Sequence, residues 1–254
     1  TIDDVRRYPF PRGNDPTRFA GLRAGAETLQ ASDFAVCTGI GGVIYEYGWY
    51  LRGLEHWFMD MIENPAFCEA VLDRMLEFWT EYYTGFMAEV GNCVDVVMIG
   101  DDLAGQDGPL FRPDFYRSVV KPRQKALVRH IKKLTSAKIW YHTCGGCVEY
   151  IPDLIDNGVD ILNPVQISAR EMNPADLKRR FGDQIVFWGG GIDAQHILPF
   201  ASPQKVRQQV RENLAVFKPN GGYVFNNVHN IQAGVPAENI VALFDAAYEF
   251  GRYQ

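Results

Sequence analysis

Short apolar runs alternate with helical segments along most of this chain, and nearly every run ends in polar or reactive residues. The runs are 34–38, 94–99, 138–143, 159–162, 185–188 and 223–225. Nearly continuous apolar runs of this length belong to parallel strands covered on both faces. Helical stretches fall between them, at about 19–30, 45–61, 65–90, 113–134, 148–157, 173–182, 203–218 and 236–251. The 65–90 helix has the clearest signature. Asn64 caps it, Pro65 takes its first position, and Phe67, Val71, Met75, Phe78, Tyr82 and Phe86 form one apolar stripe. Pro122 predicts a kink in the 113–134 helix. Strand and helix alternate without hairpin signals, which means βα units and a parallel sheet.

Two α/β architectures compete. A doubly wound sheet carries a glycine-rich nucleotide loop after its first strand, and Gly39-Ile40-Gly41-Gly42 is not that fingerprint. In a (β/α)8 TIM barrel, chemistry gathers in the loops after many strands. Here Asp101 and Asp102, His142 and Cys144, Asn163 and Gln166, Asp193, and Asn226, Asn227 and His229 all follow strands. The barrel is the better reading, over residues 31–254. Residues 1–30, with Pro9, Pro11, Gly13 and Pro16, read as an irregular lead-in. Six strands are two βα units short of a barrel. Either the N-terminal third hides them, or the barrel opens upstream of Thr1. An open barrel would have apolar edges for further residues or a partner chain to cover.

The net charge of −6 and pI near 5.4 argue against a nucleic-acid surface. No apolar run approaches the roughly 18–20 residues of a membrane span, and no signal-peptide pattern is visible in the polar, proline-containing first residues. Five cysteines at irregular spacing do not form a disulfide framework in a chain this long, so a reducing, cytoplasmic setting is expected.

The stretch His142-Thr143-Cys144-Gly145-Gly146-Cys147 closes the third strand. Strand side chains repeat every two residues, so His142 and Cys144 point to one side. Imidazole and thiolate together are half of a tetrahedral Zn²⁺ site. His229, after the sixth strand, is the expected third ligand, and Cys147 is its rival. The same Cys144-x-x-Cys147 spacing also suits a redox pair. Asp101 or Asp102 is expected to hold a substrate cation or act as general acid or base, with loop capping as the alternative. His229 joins that catalytic set. Tyr50, Gln166, Asp193 and Asn227 are expected to bind a small-molecule substrate. Cys37, Cys68 and Cys93 read as inert core residues.

From about Phe34 to Tyr248 the chain resembles the uroporphyrinogen decarboxylase superfamily, which includes corrinoid-dependent methyltransferases. The likeness rests on ordered pieces: Met98–Leu103, His142–Gly145, Val159–Gln166, Phe187–Gln195, Gly222–Asn226, His229–Ile231 and Pro236–Asn239. It implies a (β/α)8 barrel. The methyltransferase branch is marked by His-x-Cys and a later Cys that bind zinc, which activates a thiol to accept a methyl group from a corrinoid protein. His142 and Cys144 match that motif, and His229 stands in for the later cysteine. This branch implies Zn²⁺ and a corrinoid as partner cofactor or substrate. A corrinoid protein and a second copy of the chain are the partners it leaves open. The decarboxylase branch uses no metal and binds an acidic tetrapyrrole through N-terminal arginines, an aspartate, a tyrosine and a late histidine. His229 and Tyr50 match the last two, but Arg6, Arg7 and Arg12 lack the arginine motif's context. A third reading is a non-catalytic corrinoid or small-molecule binding subunit.

Overall fold

The computed structural model describes residues 1–253, the side chain of Ile40 excepted. They group into two compact units. One comprises Thr1–Asp102, Phe111–Tyr141 and Asp153–Val159, and the other Leu103–Leu110, His142–Pro152 and Asp160–Gln254. In chain order the strands are β1 (Cys37–Gly42), β2 (Val96–Gly100), β3 (Ala104–Gly105), β4 (Gly108–Pro109), β5 (Lys138–His142), β6 (Ile161–Asn163), β7 (Val186–Trp188) and β8 (Tyr223–Val224).

In the first unit β2 lies between β1 and β5. β1 and β2 are parallel, with Cys37 opposite Val96 and Thr38 opposite Val97. Val97, Ile99, Ile139 and Tyr141 are buried, as their apolar runs require. β1 is shifted from its expected place. The stretch expected as the loop, Gly39–Gly42, is strand, while Phe34 lies outside it and is exposed. Glycine is a poor strand former by itself, so pairing with β2 outweighs local preference here. Cys37, expected in the core, is exposed, whereas Cys68 is buried.

The helix Pro65–Val90 forms with Pro65 at its first position, and Asn64 stands at its N-cap without a side-chain capping bond. Its buried face is shifted from the expected stripe: Cys68, Leu72, Trp79, Tyr83 and Met87 join Val71 and Met75 in the core, while Phe67, Phe78, Tyr82 and Phe86 are half-buried. Phe19 packs on Tyr82, ring centroids 5.5 Å apart. The irregular lead-in contains the helix Ile2–Arg7, and the helix expected at about 19–30 forms over Leu22–Gln30. The helix expected at 45–61 is two, Glu46–Arg52 and Leu54–Glu63, divided by Gly53 at φ +83°. Pro122 leaves its mark as a π-helical turn, Tyr116–Val120, ahead of the helix Lys121–Leu134. A widened turn accommodates the missing proline N–H.

In the second unit β6, β7 and β8 are parallel neighbours, with Leu162 opposite Phe187 and Phe187 opposite Tyr223. Val206, Val210 and Leu214 of the helix Pro203–Phe217 pack with Ala242, Leu243 and Ala246 of the helix Ala237–Gly251. One hairpin was not expected. β3 and β4 pair antiparallel around Gln106 and Asp107, with Gly108 at φ +125° after the turn. Among the described residues, no helix is long and apolar enough to cross a membrane.

Candidate metal centre

His142 is the last residue of β5, and Cys144 follows in the turn. Cys144 Sγ lies 3.3 Å from His142 Nε2. Thr143 between them is buried and accepts a hydrogen bond from the Leu103 N–H through its hydroxyl, at 3.0 Å. His229 arrives from the loop after β8. One ligand atom each from His142, Cys144 and His229 lies within 4.8 Å of the other two. The His142 and His229 rings meet edge to face, centroids 5.5 Å apart.

The surrounding polar residues hold these three in place. His142 Nδ1 is 2.7 Å from Asn163 Oδ1, and Asn163 Nδ2 donates to the Trp188 carbonyl at 2.9 Å. Gln166 accepts from the Gly145 N–H at 2.8 Å and donates to Gln106 at 2.7 Å. Gly145 has φ +79°, and a Cβ there would stand 2.4 Å from the Gly105 carbonyl oxygen. Glycine is therefore required where the turn packs on β3. Asn227 donates its amide to the His229 carbonyl. His229 itself has φ +57°, an uncommon conformation for a non-glycine residue.

Several of the expected site residues have protein partners. Gln166 and Asn227, expected on substrate, hold the Gly145 turn and the His229 loop. Asp193 accepts from the N–H groups of Gln195 and His196 and meets the His196 ring at 3.0 Å, as a loop-capping aspartate does. Cys147, the rival ligand, is buried and is not one of the three clustered residues.

Asp101, Asp102 and Tyr50 belong to the first unit and gather around Glu46. Asp101 is fully buried. Its Oδ1 accepts from the N–H groups of Ile44, Tyr45 and Glu46, at 3.2, 2.8 and 2.9 Å. Its Oδ2 accepts from Gln124 at 2.9 Å. Burial raises the Asp101 pKa from 3.8 to about 7, with the charge of Glu46 adding to it and the backbone donors opposing. This carboxylate, expected in a catalytic or substrate-binding role, is buried and holds the start of the helix Glu46–Arg52. Half-buried Asp102 donates its N–H to Glu46 at 2.8 Å, and the exposed Tyr50 hydroxyl donates to Glu46 at 3.3 Å. Sequence reasoning passed over Glu46. Its signal was a lone acid inside the aromatic run Tyr45–Tyr50.

Residues 23–250 match the Uroporphyrinogen decarboxylase (URO-D) family. The chain belongs to that family. Its relatives include the uroporphyrinogen decarboxylase of Ruthia magnifica subsp. Calyptogena magnifica, 29% identical over 196 residues, which cover 76% of this chain and 52% of that protein. The uroporphyrinogen decarboxylase of Psychromonas ingrahamii is 27% identical over 193 residues, covering 74% and 51%. A solved methyltransferase from Methanosarcina mazei aligns with a TM-score of 0.70 and 21% identity, over 91% of this chain and 63% of that one. The chain thus spans about half the length of the curated URO-D relatives it matches. The URO-D fold is the TIM barrel that strand–helix alternation predicts.

Proposed function

We propose that this URO-D family member is a zinc-dependent methyltransferase, moving a methyl group between a corrinoid or methylated small molecule and a thiol-type acceptor. One observation carries the reading: His142, Cys144 and His229 converge within 4.8 Å. Two imidazoles and one thiolate suit Zn²⁺, and three protein ligands leave a fourth position for substrate. Bound zinc would lower the pKa of a thiol in that position, so that it reacts as thiolate at neutral pH. Cys144 would supply the negative charge among the ligands. Two neutral imidazoles beside it leave one charge of a divalent ion uncompensated, which favours an anionic sulfur donor. Gln166 and Asn227 would keep the ligand-bearing turns in register.

The second reading is a metal-free uroporphyrinogen decarboxylase, favoured by the names of the curated relatives. Elemental analysis of protein purified without a His-tag or chelator separates the two. The first reading expects stoichiometric zinc and chelator-sensitive methyl transfer to a thiol. A folded protein without zinc, binding tetrapyrrole regardless of chelator, would overturn it in favour of the second.

A further inference from the structure

The side-chain amide of Asn163 lies between the His142 ring and the Trp188 carbonyl, all within the second unit. The Trp188 carbonyl can only accept, so the amide atom facing it is NH₂. Oδ1 is then the atom facing His142, and it too can only accept. Nδ1 must therefore carry the proton, and in the neutral ring the lone pair is left on Nε2. Nε2 is the nitrogen 3.3 Å from Cys144 Sγ. Asn163 is buried, and its main-chain carbonyl accepts from the Thr143 N–H at 2.9 Å, so the residue grips both the turn and the ring.

We propose that Asn163 is a positioning residue that locks His142 in the Nδ1–H tautomer and so aims its Nε2 lone pair at the space shared with Cys144 and His229. The zinc consequence rests on the metal reading above, but the tautomer does not. An amide differs here from the carboxylate that often backs a metal-bound histidine: it orients the ring without adding a charge. Trp188 supplies the second constraint, because its carbonyl keeps the amide from flipping. Leucine at 163 would leave both the Nδ1–H and that carbonyl without this partner. Aspartate would keep an acceptor for the ring while setting an oxygen against the Trp188 carbonyl.

The test is ¹⁵N NMR of the metal-free protein with labelled histidine, at a pH where the His142 ring is neutral. His142 is assigned by its loss in His142→Gln. The expected result is a pyrrole-type Nδ1 and a pyridine-type Nε2. In Asn163→Leu the ring should populate both tautomers, and in Asn163→Asp the Nδ1–H form should return. A wild-type ring protonated at Nε2 overturns the proposal whether or not either variant folds. So does a folded Asn163→Leu protein with an unchanged tautomer. Competition between zinc and a chromogenic chelator adds a second readout. Affinity should fall ~10–100-fold in Asn163→Leu. If wild type shows the Nδ1–H form and Asn163→Leu loses it, while neither binds zinc, the positioning role stands and the metal reading fails.

Discussion

Cys144 Sγ stands 3.3 Å from His142 Nε2 across a turn whose intervening residue, Thr143, is buried facing elsewhere. The pair is thus formed by one short segment, and His229 completes the cluster from a separate loop. Cys144→Ala should abolish stoichiometric zinc, measured by elemental analysis beside a circular dichroism melt. His229→Ala should weaken zinc while leaving the His142–Cys144 pair, and retain measurable affinity by chelator competition.

Cys147 gives the opposite expectation. It is buried and lies outside the clustered trio. Cys147→Ala should keep wild-type zinc content while losing about 1 kcal/mol of stability in urea unfolding, from the small core cavity it leaves. Loss of zinc together with retained folding would make Cys147 the third ligand in place of His229.

Two glycines should respond in opposite directions. Gly145→Ala places a methyl group against the Gly105 carbonyl at a φ of +79°. It should destabilise by more than about 1 kcal/mol and displace Cys144. Gly25 lies inside the helix Leu22–Gln30, with nothing within 4 Å of an added Cβ. Gly25→Ala should stabilise by about 0.5–1 kcal/mol. Urea unfolding with unchanged slope reads both.

Asp101 should make stability depend on pH. Its pKa is 3.8 in an exposed chain and about 7 in the folded protein, chiefly through burial. Between these values the native state binds more protons than the unfolded state. The contribution of Asp101 is therefore fully present below about pH 4 and lost as pH rises through 7. The loss is on the order of a few kcal/mol. Asp101→Asn should flatten the fall in urea midpoint between pH 4 and 7 relative to wild type. Parallel profiles for the two proteins would contradict this.

The sequence by itself determined the α/β class, the strand–helix alternation and the His142-x-Cys144 placement. Each depends on local periodicity, which short-range backbone geometry imposes. It also showed which loops carry polar groups. Tertiary structure alone supplied the partners those groups meet. Asp101, Gln166, Asp193 and Asn227 look like substrate ligands in sequence, yet each is engaged by backbone or neighbouring side chains. A polar side chain after a strand has the same local signature whether it faces a ligand or an unsatisfied N–H. The same limit applied to β1, where pairing with β2 made strand of a glycine-rich stretch. It applied again to Asn163, whose role depends on the Trp188 carbonyl from the next strand. Local pattern encodes where a side chain leaves the backbone, and only the packed fold supplies the partner it meets.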